Sequence, residues 1–297
     1  MSRDDFIIHV YCLVCEEYRA AKALRRIREH GGFLPALSDE EVITMQLCGE
    51  VFKQRADKDI YRYFAAHYKH FFPKLHDRTL FVRQAANLWG VMRLIQERLT
   101  IRSGQAQDGV QIIDTLPLPV CGYTRSARDR CFKQEADYGY CAAKDERYYG
   151  FKLGLRITRH GMITAGLLLP ARPHDVNFRD ELSENFSGLI SADKGFIDAW
   201  RQALQTERRQ VVFVTPPRKN MRETDSSRYK SFKRIRKLIE TVGSQLTERF
   251  GVNRIRAHDL WHFSYRLIRK ILAHTVCVFI NIQLNRHPLD LDGLLCE

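Results

Sequence analysis

The sequence has no run of about 18 apolar residues, so it predicts no membrane-spanning helix. It has no internal repeat and no low-complexity segment. The start, MSRDDFIIHVYCLVCEEY, places an acidic pair before a short apolar run and has no small-residue cleavage site. It does not read as a signal peptide, and the expected compartment is cytosolic. Proper zinc-ligand spacing is also missing. Cys121, Cys131 and Cys141 stand ten apart with no paired CxxC and no nearby histidine pair. Cys12 and Cys15 form a lone CxxC inside an apolar helical pattern, which reads as two buried thiols. All eight cysteines are expected to be reduced. Acid is the scarcer charge: 35 Asp and Glu stand against 48 Lys and Arg, a net charge of +13. With 44% hydrophobic and 28% charged residues the chain reads as globular, and its basic excess suits a polyanionic partner.

The excess is concentrated. Arg218 to Lys237 holds nine basic residues and two acidic ones. This run leads into Arg228–Phe250, where Phe232, Ile235, Ile239, Val242, Leu246 and Phe250 recur at helical spacing. Ser226 and Ser227 are candidate caps. Glu240 follows Ile239, so it projects at the edge of the buried stripe, with Arg236 and Lys233 on its side of the helix. Such a carboxylate either pairs with Arg236 or serves a metal-dependent phosphodiester site.

The first hundred residues read as helices in series. Residues 1 to about 30 end at Gly31-Gly32, a helix stop. Ser38 with Glu41 is a capping box opening the next helix. Further helices are expected over 58–69 and 78–98. Short helices in series suit a helix-turn-helix or a packing and dimerisation module. The polar stretch Leu99–Asp108 marks a domain boundary, giving a helical DNA-binding or dimerisation domain at 1–105 and a catalytic domain at 106–297.

Beyond the boundary the pattern becomes mixed. Val110–Asp114 is a short apolar run ending in an acid, read as a buried strand. Residues 115–148, rich in proline, cysteine and charge, read as a long insertion. Residues 150–158 and 161–169 alternate around a tight turn and form a hairpin. Residues 175–186 read as a helix, 189–193 as a second strand ending in an acid, 195–204 as a helix and 210–215 as a strand. An apolar C-terminal helix is expected over 259–285. The order suits a mixed sheet with helices on its faces, where functional groups gather beyond the carboxyl ends of strands. Asp114 and Asp193 each close a strand run. Singly each also suits a strand-end turn.

Three carboxylates on rigid elements have a specific use in phosphodiester chemistry. Two divalent ions about 3.5–4 Å apart stabilise both the attacking and the leaving oxygen of an in-line displacement. Magnesium prefers oxygen ligands, so a few carboxylates suffice.

The segments LSDEEVITMQLCGE, IIDTLPLPVC, YYGFKLGLRIT, LLLPARPHD, LISADKGF and RKLIETVGSQLTERFG, in that order, carry a resemblance over nearly the whole length. The chain resembles the DDE transposases of bacterial insertion sequences, most closely the IS982-type family. The resemblance implies an α/β, ribonuclease-H-like mixed sheet with flanking helices, preceded by an all-helical N-terminal domain. It implies Asp114, Asp193 and Glu240 as catalytic and metal-holding acids, with two Mg²⁺ ions (Mn²⁺ as substitute). It further implies cleavage of the element's own ends and their joining to target DNA. The partners would be double-stranded DNA, as ends and target, and at least one further copy of the chain in the DNA complex. The setting would be the bacterial cytoplasm, at the nucleoid. Related transposases carry YxxRxxxE with a lysine seven residues later; here Arg236-xxx-Glu240 fits, Lys233 replaces the tyrosine, and Thr247 replaces the lysine with Arg249 close by. Lys152, Lys194, Lys233, Arg236, Lys237 and Arg249 are the candidate DNA contacts. Asp175 reads as a helix cap or an aid in orienting the site. A nuclease of the same fold that does not join strands, and a catalytically silent DNA-binding descendant, are the alternative readings.

Overall fold

A computed structural model describes residues 1–24, 35–129, 131–141, 145–198, 206–207, 210–216 and 226–295; the side chains of 22–24 and 226–234 lie outside the description. The Gly31-Gly32 stop, most of the helix expected at 195–204, the Ser226 and Ser227 caps and the Lys233 side chain therefore fall outside the described residues. The chain divides into a helical unit, Met1–Ser103 with Glu248–Glu297, and a sheet unit, Gly104–Thr247.

The helical unit holds α1 (Arg3–Leu24), α2 (Asp39–Val51), α3 (Asp57–His67), α4 (Arg78–Asn87) and α5 (Trp89–Arg102). The capping box forms as expected: the Glu41 backbone N–H donates to Ser38 Oγ at 3.1 Å and the Ser38 N–H donates to Glu41 at 2.7 Å. The single helix expected at 78–98 is two, broken at Leu88. Cys12 is exposed and Cys15 half-buried, which corrects the reading of both as buried thiols. Their positions fall between the stripe of Phe6, Val10, Leu13 and Val14 and solvent.

The apolar C-terminal helix belongs with these helices, not with the sheet, so the boundary at 106 captures only one of two crossings. Polar groups fix its place. Arg269, fully buried, donates through Nε to Glu50 at 2.7 Å and also pairs with Asp57. Lys270 donates to Glu50 at 2.9 Å and to the Phe250 carbonyl at 2.6 Å. Arg266 reaches Asp57 at 2.9 Å. Buried charges demand partners, and those on α2 and α3 supply them.

In the sheet unit, β1 spans Val110–Gly122, β2 Asp137–Cys141, β3 Glu146–Thr158, β4 Ile163–Pro170, β5 Gly188–Ser191 and β6 Val211–Val214. The sheet runs β2-β3-β1-β5-β6, and β4 also pairs with β3. β2 pairs with residues 146–150 of β3 and β4 with 151–157, so the two share one edge. The pairs among β1, β3 and β4 are antiparallel, whereas β1, β5 and β6 are parallel. This is the mixed, ribonuclease-H-like arrangement.

The insertion expected at 115–148 is corrected in part, because β1 continues through Pro117 and Pro119 to Gly122 and β2 lies within it. β5 pairs with β1 only over Val110–Ile112, which leaves that side of β1 free of a strand beyond residue 112. Prolines are tolerated where the missing N–H faces an open side. The helix expected at 175–186 is a 3-10 turn, Asp175–Phe178, and a short helix, Arg179–Leu182. Phe178, Leu182 and Phe196 pack with Ile113, Ile190 and Val211 into the core beneath the sheet.

Candidate active site

Strand register brings the first two acids together. Ile112 of β1 is level with Ser191 of β5 in the parallel pair. Asp114 and Asp193 each lie two residues further on. Both therefore lie just past the paired stretch, near enough for the charge of Asp193 to act on the Asp114 carboxyl. The buried Ile190 and Ala192 face the opposite side and hold β5 in the core.

The two carboxylates differ in setting. Asp114 is half-buried and Asp193 exposed. Burial raises the Asp114 carboxyl to about 6; the Thr115 backbone N–H, donating to its Oδ1 at 2.8 Å, and the Arg236 guanidinium oppose that, while the negative charges of Asp193 and Asp175 add to it. Asp193 pairs with Arg236 at 3.3 Å.

Arg236 comes from α6 (Ser226–Ser244), the long basic helix, which ends in a π-helical turn at Gln245–Arg249. Of the stripe expected over 228–250, Ile239, Val242, Leu246 and Phe250 are buried and Ile235 is half-buried, while the Phe232 side chain lies outside the described residues. Arg236, Glu240 and Gly243 fall at i, i+4 and i+7, on one stripe. At one end of the stripe Arg236 meets Asp193. At the other, a Cβ placed on Gly243 would stand 3.1 Å from Leu116 Cδ2, so the helix backbone lies close on β1 just beyond Asp114. Glu240 lies between these two contacts in the sequence of the stripe and is exposed.

A fourth carboxylate adjoins the pair, and its role differs from the capping expected of it. The cap position of its turn falls to His174, which makes no side-chain capping bond, and Asp175 is the first residue inside the turn. Its Oδ1 accepts from Thr115 Oγ1 at 3.1 Å and from Lys152 Nζ at 3.1 Å. A Cβ on Gly195 would stand 3.0 Å from Asp175 Oδ2. Asp175 thus touches the residue after Asp114 and the glycine two after Asp193. The sequence signal was the ARPHD segment directly after β4, but nothing in the spacing shows which strand that carboxylate will meet.

The basic candidates separate. Lys152 also donates to the Pro173 carbonyl at 3.0 Å, so its ammonium is held inside the fold. Lys194 is exposed and opens the 3-10 turn Lys194–Phe196 immediately after Asp193. Lys237 is exposed on α6. Arg249 belongs to the helical unit, where it pairs with Asp292.

The donor chemistry fits magnesium, because Asp114 and Asp193 offer carboxylate oxygens side by side. Among the described residues no three of His, Cys, Asp or Glu stand close enough to hold an ion.

Comparison with protein families matches residues 104–260, more than half of the chain, to the transposase DDE domain. Comparison with curated proteins and with solved structures yields no match. The chain belongs to the transposases that carry a DDE domain.

Proposed function

We propose that this transposase cuts the ends of its own insertion sequence and joins them to target DNA, with Asp114, Asp193 and Glu240 as its catalytic acids. The observation that supports the reading is the nearness of Asp193 to Asp114 just past the β1–β5 pairing, together with the Arg236–Asp193 pair on the helix bearing Glu240.

Asp114 and Asp193 would hold Mg²⁺, with Mn²⁺ as substitute, and Glu240 would complete the ligand set by approach of the α6 stripe. Two such ions supply charge stabilisation to the attacking and leaving oxygens of an in-line displacement. Asp114 must be ionised to serve, so its raised pKa of about 6 makes activity fall as pH drops through that value. Arg236 counters the carboxylate charge and would meet a phosphate. Lys194 and Lys237 give sequence-independent backbone contacts, as would Lys233 and, from the helical unit, Arg249. Asp175 acts as a positioning residue: through Thr115 and the Gly195 turn it fixes the spacing of the two acid-bearing strands, and Lys152 neutralises it. The helical unit would bind DNA or pair two copies of the chain, since two ends must be handled together. The reaction would take place at the bacterial nucleoid. No helix among the described residues is long and apolar enough to cross a membrane.

The test is cleavage of labelled DNA carrying the element's own ends, with Mg²⁺ or EDTA, by wild type and Asp193→Asn. Metal-dependent nicking at the ends, lost in the variant with binding retained, is expected. Nicking without transfer to target DNA would reduce the reading to a nuclease. Binding with no cleavage by wild type in any metal would leave a silent DNA-binding descendant.

A further inference from the structure

β2 reads Asp137-Tyr-Gly-Tyr-Cys141, and strand geometry sets Tyr138 and Tyr140 on one face. Both are exposed, as is Tyr123. Among the described residues of the sheet unit, four large hydrophobic side chains are exposed, and three of them are these tyrosines, the other being Val212. All three line one open cavity of about 670 Å³. Scattered exposed aromatics need no explanation, but a cluster in a concavity does.

The rings are fixed in place. The Tyr138 hydroxyl accepts from Ser126 Oγ at 3.0 Å, and its ring stands 5.5 Å from Tyr123 and 5.2 Å from Tyr149. The Tyr140 hydroxyl donates to Asp145 at 2.6 Å. A ligand stacking on them would therefore freeze little side-chain motion. Cations sit beside the rings. Arg147 is level with Tyr140 across the β2–β3 pair, and Arg172, largely exposed, approaches Asp137 at 3.9 Å. The inner wall includes Lys152, whose ammonium is shared with Asp175, the carboxylate that bears on Asp114. The cavity thus adjoins the acid site.

Aromatic faces with arginines beside them suit an unpaired nucleotide. Bases stack on tyrosine without regard to sequence, and arginine takes the phosphate. Side chains two residues apart on a strand are about 6.7 Å apart, room for one base plane between them. The volume lies within the roughly 300–1,000 Å³ of small-molecule sites, too little for a duplex. Asp137 adds an acceptor for an exocyclic amine.

We propose that this cavity binds an unpaired nucleotide of the DNA strand presented to Asp114 and Asp193, stacking its base on Tyr138 and Tyr140 and its phosphate on Arg147 and Arg172. The inference rests on the transposase reading. It is tested with the full chain, using element-end DNA with a short unpaired terminus carrying 2-aminopurine, against the same DNA fully paired. Wild type is expected to quench the probe in the unpaired DNA and to bind it more tightly. The double variant Tyr138→Ala/Tyr140→Ala should lose the quenching and about 5- to 150-fold of that affinity, the value of one stacked base. Its binding of fully paired DNA should change less than about 2-fold. Tyr140→Phe, which keeps the ring, should behave as wild type. Equal quenching and affinity in the double variant, with end cleavage intact, would overturn the cavity and leave the transposase reading standing. A wild type that neither binds nor cuts element DNA would overturn both.

Discussion

Two aspartates, the buried Asp57 and the half-buried Asp114, have opposite electrostatics. Asp57, in the helical unit, is held at about 2: burial alone would raise it, but the guanidiniums of Arg269 and Arg266 and the Tyr265 hydroxyl outweigh that. Asp114, in the sheet unit, is raised to about 6, because burial is opposed chiefly by one backbone N–H and one shared arginine while two further carboxylates add to it. Burial is common to both. What differs is the count of cations that face each carboxylate. The helical unit spends its buried charges on internal pairing, as a scaffold does. The sheet unit leaves an acid under-compensated, and such perturbed groups cluster at functional sites.

The widest break in this contrast is Arg269→Met. It strands Glu50 and Asp57 without their shared guanidinium, and removing one partner of a buried pair costs about 3–5 kcal/mol. Urea unfolding of the full chain should show that loss; an unchanged midpoint would mean the pairing does not hold the helical unit together. Asp114→Asn should do the reverse. A raised pKa means the native state holds the proton more tightly, so the penalty is absent below about pH 4, grows between pH 4 and 6 and is complete above. The variant should gain on the order of 2 kcal/mol at pH 8, gain nothing at pH 4, and lose cleavage. Equal stability of variant and wild type at pH 8 would show that Asp114 is well compensated.

Asp57 sharpens the contrast through its own pH window. Its lowered pKa contributes stability that is present above about pH 4 and lost as pH falls through about 2. Wild type should lose about 2 kcal/mol over that window from this group, and Asp57→Asn should show a flatter profile. The smallest effect is expected for Asp175→Ala. Orienting residues around metal ligands are worth about 10-fold in metal affinity, so half-saturation of nicking by Mg²⁺, and direct Mn²⁺ binding, should weaken by about that factor. Thermal stability should change little. Weaker stability with unchanged metal binding would make Asp175 structural only.

Much of the local structure was readable in advance. The Ser38–Glu41 box, the 150–169 hairpin and the α6 stripe rest on contacts between near neighbours, which spacing reports directly. The reach of β1 past Pro117 was not, because prolines in a strand depend on which edge is left open by other strands. Nor was the membership of α7 (Leu260–Gln283), which Arg269 and Lys270 decide by finding Glu50 more than two hundred residues away.

The candidate site divides in the same way. By itself the sequence determined that Asp114 and Asp193 follow apolar strand runs and that Glu240 shares a helix face with Arg236, since period and runs are local properties; the strand end read at Asp114 is corrected, because β1 continues to Gly122. Only the tertiary structure decided that the two aspartates lie near one another, that Arg236 faces Asp193 and that Asp175 clamps Thr115. Those contacts are made across strand register and layer packing, where residues 43 to 79 positions apart become neighbours through interactions no local pattern encodes.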